Sequence, residues 1–328
     1  MRQNFIGRLL IASTLMAASI GIVQGQPADP YPSRPVRLIV PFPPGASTDA
    51  AARIYADALS RGLGQSVVVD NRSGANGAIG TEVVAKAPSD GYTLLLTTTE
   101  FVINPILRRN LPYDIWKDFI PVSGTAYQSM ILAANPKLGV RTLAELQSKA
   151  KQAPRSVSYA SWGIGSVGHL AVQLFATAIG AEFLHVPYPG VGPAMSDLLG
   201  GRIDLCFVSV ASAAEHFRTG RLIPLAVSSL ARNPLLPDVP TFDEAGVAKF
   251  EVRLVFGIAV PAGTDAAIVN RVNREVQSVG ANPEVQKKLS GLGLFTFTHD
   301  SSQAYRRYLE GISDMWSTAV RAAGIQPE

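Results

Sequence analysis

The chain has little with which to cross-link itself and little with which to hold nucleic acid. Its one cysteine, Cys206, lies in the apolar stretch Ile203 to Val210, which excludes an internal disulfide and suits a small buried hydrophobe. No run of lysine or arginine occurs, and the net charge of +4 falls to +2 once Arg2 and Arg8 are removed with the N-terminal leader. Nucleic acid is therefore not an expected partner. Metal spacing is missing too. The four histidines, His169, His185, His216 and His299, are scattered, and no pair stands at a helical or hairpin interval suited to a metal. Neither a catalytic triad nor a phosphate-cradling G-x-x-x-x-G-K-[ST] appears, so no enzyme activity and no cofactor are expected. The apolar stretch Leu9 to Val23 is broken by Ser13, Thr14, Ser19 and Gly21 and falls short of the roughly 20 apolar residues that a membrane span needs.

What is present begins with a leader. A short basic start followed by that apolar stretch makes residues 1–25 a signal peptide, with cleavage expected near Gln26 and with Ala28 or Asp29 as alternative first residues. The mature protein is thus expected in the periplasm. With 47% hydrophobic residues in 328, the chain can bury a large core, and its length suggests about two domains.

Short runs rich in Val, Ile and Leu alternate with helix-period segments, which implies crossover units, parallel sheet and the α/β class. Strands are expected at Val36 to Val40, Ser66 to Asp70, Thr93 to Thr97, Ser129 to Ala133, Val157 to Ala160, Glu182 to Val186, Leu205 to Val208 and Ile223 to Val227. Helices are expected at Asp49 to Leu63, with Ile54, Ala58 and Leu59 on a stripe, and at Leu143 to Lys151, Gly168 to Ile179, Pro193 to Leu199 and Ala266 to Val279. Phe250 to Pro261 reads as a long extended segment, and from Asp265 onward the chain is almost wholly helical, so the C-terminus should return to the first lobe. Residues 26–126 plus 254–328 then form one lobe and residues 127–253 the other, joined by two chain crossings.

Three loops share one design, a strand running through small residues into a helix start, where free backbone N–H groups and the helix dipole attract an anion. The first is Pro41-Phe-Pro-Pro-Gly-Ala-Ser-Thr-Asp49, with Ser47, Thr48 or Asp49 as the cap; Arg53, four residues on, is expected to pair with Asp49. The second, Ser161-Trp-Gly-Ile-Gly-Ser-Val-Gly-His169, formally spells G-x-G-x-x-G. No acid ends the next strand to hold a ribose, so the dinucleotide reading is set aside. The third is Pro187-Tyr-Pro-Gly-Val-Gly-Pro193, followed by Asp204, which could either brace a loop or touch ligand. None of the three loops carries Lys or Arg before its helix begins, which leaves backbone donors, hydroxyls and water to hold an anion.

These loops, together with Arg34-Pro-Val-Arg-Leu-Ile-Val-Pro-Phe-Pro-Pro-Gly45, Asn71-Arg72, Asp90-Gly-Tyr-Thr-Leu-Leu95, Leu111-Pro-Tyr-Asp114, Lys117-Asp-Phe119, His185-Val-Pro-Tyr188, Asp197-Leu-Leu-Gly-Gly201, Leu236-Pro-Asp-Val-Pro-Thr241 and Ala262-Gly-Thr264, resemble the extracytoplasmic receptors called Bug proteins, which serve tripartite tricarboxylate transporters. The resemblance covers essentially the whole mature chain. It implies a two-lobed periplasmic binding fold of type II, capture of a small mono- or dicarboxylate by lobe closure, delivery to membrane transporter subunits, a monomer and no catalysis. Carried onto this chain, the site it implies comprises Phe42, Gly45, Ala46, Ser47, Thr48 and Asp49 on one wall and Ser161, Gly163, Gly165, Ser166 and Tyr188 on the other, with Thr98, Thr99, His169 and Asp204 as additions. Two departures from the family pattern, Ala46 where a second glycine is common and Val255 near where an aromatic is common, sit where cargo could be selected. The sequence also leaves open two rival readings: an exported hydrolase using Ser166 with His169, and a sensory subunit that binds the same acids.

Overall fold

A computed structural model describes residues 31–322 and 324–327; the expected signal peptide lies outside them. Eleven strands are seen among these residues: β1 (Val36–Val40), β2 (Val67–Asn71), β3 (Thr93–Thr97), β4 (Phe119–Ser129), β5 (Ile131–Ala134), β6 (Ser158–Ser161), β7 (Leu184–Pro187), β8 (Leu205–Val208), β9 (Ile223–Val227), β10 (Arg253–Pro261) and β11 (Phe295–Thr296). The helices are α1 (Ser47–Leu63), α2 (Ala78–Ala85), α3 (Thr99–Leu107), α4 (Leu143–Gln152), α5 (Val167–Ile179), α6 (Val191–Gly200), α7 (Val210–Arg218), α8 (Ala266–Ala281), α9 (Pro283–Ser290) and α10 (Ser302–Ala322). They build two sheets, one of order β11-β4-β10-β3-β1-β2 and one of order β7-β6-β8-β5-β9. In each, parallel neighbours joined through helices stand beside antiparallel strands contributed by the chain's passages between sheets.

The strands expected at the parallel positions form within two residues of where they were placed; β1 and β3 are covered on both faces, with Leu38, Ile39, Val40 and Leu94 to Leu96 wholly buried. Along α1 the buried face is Ala51, Ala52, Tyr55, Ala58 and Leu59; Ile54, expected on that stripe, is only partly buried. Among the elements the sequence pattern did not give, β4 and α3 border the site. Strand β4 buries Ser123, Thr125, Gln128 and Ser129 as fully as its apolar residues, so it shows neither alternation nor an apolar run. Helix α3 carries Pro105 and is buried nearly all round at its start, which hides the 3.6-residue period.

The chain leaves the first sheet at Met130 and returns between β9 and β10. Ser228 fastens these passages: its N–H donates to Met130 O (2.8 Å), its hydroxyl accepts from Met130 N (2.9 Å) and donates to Val252 O (2.5 Å), and its carbonyl accepts from Val252 N (2.9 Å). A further tie comes from α10. Near its start Tyr305 and Leu309 pack with Ile39, Leu95 and Phe119 of the first sheet. Trp316 and Val320, further along the same helix, join Ile103 and Leu107 of α3 in the core built on α5 and β8. The C-terminal helix therefore stitches both cores together.

Candidate functional site

Where the ends of the two sheets face one another lies a cavity of about 1160 Å³. From the first sheet's side its wall is the loop Phe42 to Thr48, the turn Ser73 to Gly77, and Glu100, Arg108 and Gln128; from the second sheet's side it is Trp162 to Ile164, Pro187 to Pro193 and Phe207 to Ser209. Met130 and Leu254, on the passages between sheets, also border it. A volume above the usual range of about 300–1,000 Å³ leaves room for a small organic ligand together with water.

The first loop owes its path to Gly45, whose φ of +92° a residue with a Cβ would adopt only under strain. The helix cap is Ala46, which lacks a capping side chain, so the first N–H groups of α1 find no side-chain acceptor. Asp49 does not serve the cavity. It is 5% exposed and accepts hydrogen bonds from Gly45 N (3.1 Å), Arg53 Nε (2.9 Å) and Asn71 Nδ2 (3.1 Å). Burial opposes its ionisation, yet those donors, Arg53 foremost, hold its carboxyl below the usual range. Asp49 thus braces the loop from behind.

Of the second loop, Gly163 borders the cavity with its neighbours Trp162 and Ile164, whereas Ser161, Gly165, Ser166 and His169 do not line it. The reason is that the start of α5 is already satisfied. Ser166 caps His169 N (3.3 Å), Gly165 N donates to His169 Nδ1 (3.2 Å), and Glu100 Oε1, reaching over from α3, accepts from Trp162 Nε1 (3.2 Å) and Val167 N (3.5 Å). The anion that the loop design attracts is the protein's own carboxylate. Gly165 instead permits close approach of α3, since a Cβ there would stand 2.6 Å from Leu107 Cδ1.

Tyr188 of the third loop borders the cavity, but its hydroxyl donates to Asp197 (2.7 Å), so the ring is what it offers a ligand. Helix α6 starts at Gly190 with no side-chain cap, and its first turn, with Val191 and Gly192, lines the cavity. Asp204 accepts from Ser158 N (2.8 Å) and Ser158 Oγ (2.7 Å), which makes it a brace. Thr99 is likewise structural, because its hydroxyl accepts from Val255 N (2.9 Å), and Thr98, buried, lines a small recess beside Asn104. Strand alternation puts Leu254, and not Val255, on the cavity side.

Sequence reasoning missed Glu100, Arg108, Gln128 and the turn Ser73-Gly-Ala-Asn-Gly77. The turn repeats the strand, glycine, helix device and could have been found by it. Its backbone takes positive φ at Gly74, Ala75, Asn76 and Gly77, strain of a kind that persists where surrounding structure imposes it. Two acceptors of wall residues, Gln128 Oε1 and Asn76 Oδ1, have no partner among the described residues, although Gln128 Nε2 donates to Ser47 Oγ (2.9 Å).

Residues 51–325 match the family model described as tripartite tricarboxylate transporter family receptor, TctC. The chain belongs to that family. Among similar solved structures, Rpa4515 of R. palustris with adipate is 37% identical, covers 91% of this chain and all of that one, and superposes with a TM-score of 0.86. The periplasmic binding protein BugD is 34% identical over 91% of this chain and 100% of its own, with a TM-score of 0.84. MatC (Rpa3494) of Rhodopseudomonas palustris with bound malate is 28% identical over 88% and 100%, with a TM-score of 0.81. The architecture of this receptor is therefore that of the periplasmic binding proteins. Among the described residues no helix is long and apolar enough to cross a membrane, and no group of side chains is placed to hold a metal ion.

Behind the receptor's second loop, tertiary folding assembles what the sequence scattered. The rings of His169 and His185 stack at 4.1 Å, Tyr159 stacks on His185 at 4.8 Å, and His185 Nε2 lies 2.7 Å from Ser161 Oγ. The Ser166 hydroxyl, by contrast, accepts from the backbone N–H of His169, so the side-chain pair of the rival hydrolase reading is not assembled. Burial pushes both imidazoles down to about 4, aided at His185 by its neighbour His169. Between pH 4 and 6.5 the unfolded chain therefore binds protons that the folded one refuses. Stability is complete above about pH 6.5 and declines as pH falls towards 4, by at most about 1.4 kcal/mol per pH unit for His169 and by less for the more exposed His185. Urea melts from about pH 7 to 5 should follow that slope in wild type and a shallower one in His169→Phe. Identical pH profiles for the two would refute a neutral histidine stack.

Proposed function

We propose that the protein is an exported periplasmic receptor that captures a small mono- or dicarboxylate in this cavity by closure of two lobes and presents it to tripartite tricarboxylate-type transporter subunits, without chemistry. Residues 1–25 are its cleaved signal peptide, residues 26–126 plus 254–328 one lobe, residues 127–253 the other, and it acts as a monomer. The observation that carries the reading is a cavity bordered by loops from both sheets, into which the side-chain-uncapped starts of α1 and α6 open. Backbone donors of Ala46 to Thr48 and of Val191 and Gly192 suit a carboxylate held partly through water, with Phe42, Trp162 and Tyr188 against its carbon chain. The adipate and malate found in similar receptors support this ligand class.

Thermal denaturation of the purified mature protein against a panel of organic acids tests it. A ligand at about 100 times its Kd adds about 2.7 kcal/mol, enough to raise the midpoint by several degrees. At least one carboxylate, with adipate and malate tried first, should do so. If every acid leaves the midpoint in place while a nucleotide raises it, the reading fails.

A further inference from the structure

The geometry points to Arg108 as the group that reads a second negative charge on the ligand, so that this receptor selects dianions over monoanions. The inference rests on the carboxylate-binding reading and specifies its substrate class. Among the described residues only two charged side chains border the cavity, Glu100 and Arg108, and both come from one face of α3 and the residue that ends it, eight residues apart. At about 1.5 Å per residue that spacing is about 12 Å. Glu100 is committed to Trp162 and the start of α5. Arg108, half-buried at the end of the helix, has a guanidinium with neither ion pair nor hydrogen-bond partner among the described residues. What remains in the cavity is therefore one positive charge without a counter-ion.

Its place relative to the first loop follows from a chain of contacts. The Phe42 ring lies 3.3 Å from where a Gly77 Cβ would be, Asn76 O accepts from Asn104 Nδ2 (2.9 Å), and Arg108 follows Asn104 by one helical turn. The strained turn Gly74 to Gly77 thus stands between the start of α1 and Arg108, so the two anion-attracting poles are separated along one wall. A single carboxylate reaches one of them. A ligand with carboxylates at both ends reaches both, with apolar lining for the carbon chain between. The guanidinium fork is suited to a bidentate carboxylate, which lysine in the same place would hold less well.

The test uses calorimetry on the full mature protein with the dicarboxylates from four to eight carbons and the monocarboxylate of each chain length, in wild type, Arg108→Gln and Arg108→Lys. Thermal melts without ligand check that the variants fold. Wild type should bind its preferred dicarboxylate at least about tenfold more tightly than the matched monocarboxylate. Arg108→Gln should weaken the dicarboxylate several-fold more than the matched monocarboxylate and so remove most of that difference, and Arg108→Lys should restore part of it. Equal losses for both ligand types in Arg108→Gln, or no loss for either, would overturn the assignment while leaving carboxylate binding in place. Failure of wild type to bind any of these acids would overturn the carboxylate reading and this inference with it.

Discussion

Glu100→Lys is expected to destabilise the folded receptor by about 3–5 kcal/mol, the range found when one member of a buried charged interaction is removed and its surroundings are left uncompensated. Glu100 is 2% exposed, and its carboxylate accepts from the Trp162 indole and from the first N–H of α5. A lysine there offers donors to donors, and it sets a positive charge against the positive end of the helix dipole. Glu100→Gln is the informative control. It keeps an oxygen at the same reach, gives up the charge, and should cost about 1 kcal/mol. Urea denaturation of the two variants should separate them by more than about 2 kcal/mol; if Glu100→Lys melted like Glu100→Gln, the carboxylate would not be what satisfies the start of α5.

Gly257→Ala is expected to cost about 3 kcal/mol, at the upper end of the range for overpacking. Gly257 sits in β10 opposite Gly124 of β4, at a shift in the register of the ladder. A Cβ on Gly257 would overlap the hydroxyl of Tyr305 and stand 2.8 Å from Ser123 O, and one on Gly124 would stand 2.6 Å from Phe297 O. Neither neighbour has room to yield. Tyr305 is completely buried and exchanges a hydrogen bond with Thr97 Oγ1 at 3.0 Å, while the carbonyls belong to strand and turn backbone. Gly257 is thus what lets α10 lie flat on the first sheet, and Gly124 what lets the segment after β11 pass close to β4. Gly311, exposed on α10 with nothing within 4 Å of where a Cβ would be, supplies the contrast. Gly311→Ala should leave stability unchanged or raise it by up to about 1 kcal/mol. A Gly257→Ala protein as stable as wild type would refute the close packing of α10 on β10.

Both effects depend on contacts between segments far apart in the chain, and that marks the boundary of what was legible beforehand. The α/β class, the positions of most parallel strands and the strand, glycine, helix loops were readable because each is a local pattern of apolar runs, small residues and caps. The Asp49–Arg53 pair was readable because helical spacing alone brings the two together. Membership of the receptor family was readable because its motifs are contiguous.

The candidate site was legible only in outline. Phe42, Gly45 to Thr48, Gly163 and Tyr188 border the cavity as expected residues of the loops, while Asp49, Ser161, Gly165, Ser166, His169 and Asp204 are the same loops' supports. Nothing local tells a loop residue that faces a ligand from one that holds the loop, since both need the same small or hydrogen-bonding side chains. The absence of cations from the three loops was correct for the loops and incomplete for the cavity, because Arg108 enters from the end of another helix.

The sequence by itself determined that this chain folds into alternating strands and helices whose glycine-bearing loops gather exposed N–H groups, because propensity, periodicity and capping act within a few residues of chain. Only the tertiary structure decided which of those helix starts stays free for a ligand. Glu100, 67 residues before Val167, fills the start of α5. The starts of α1 and α6 are left open to the cavity, with Arg108 as its one cation among the described residues. The physical reason is that an anion site is set by the net balance of donors, acceptors and charge within a few ångströms in space, and in this fold that balance is struck between segments the sequence keeps far apart.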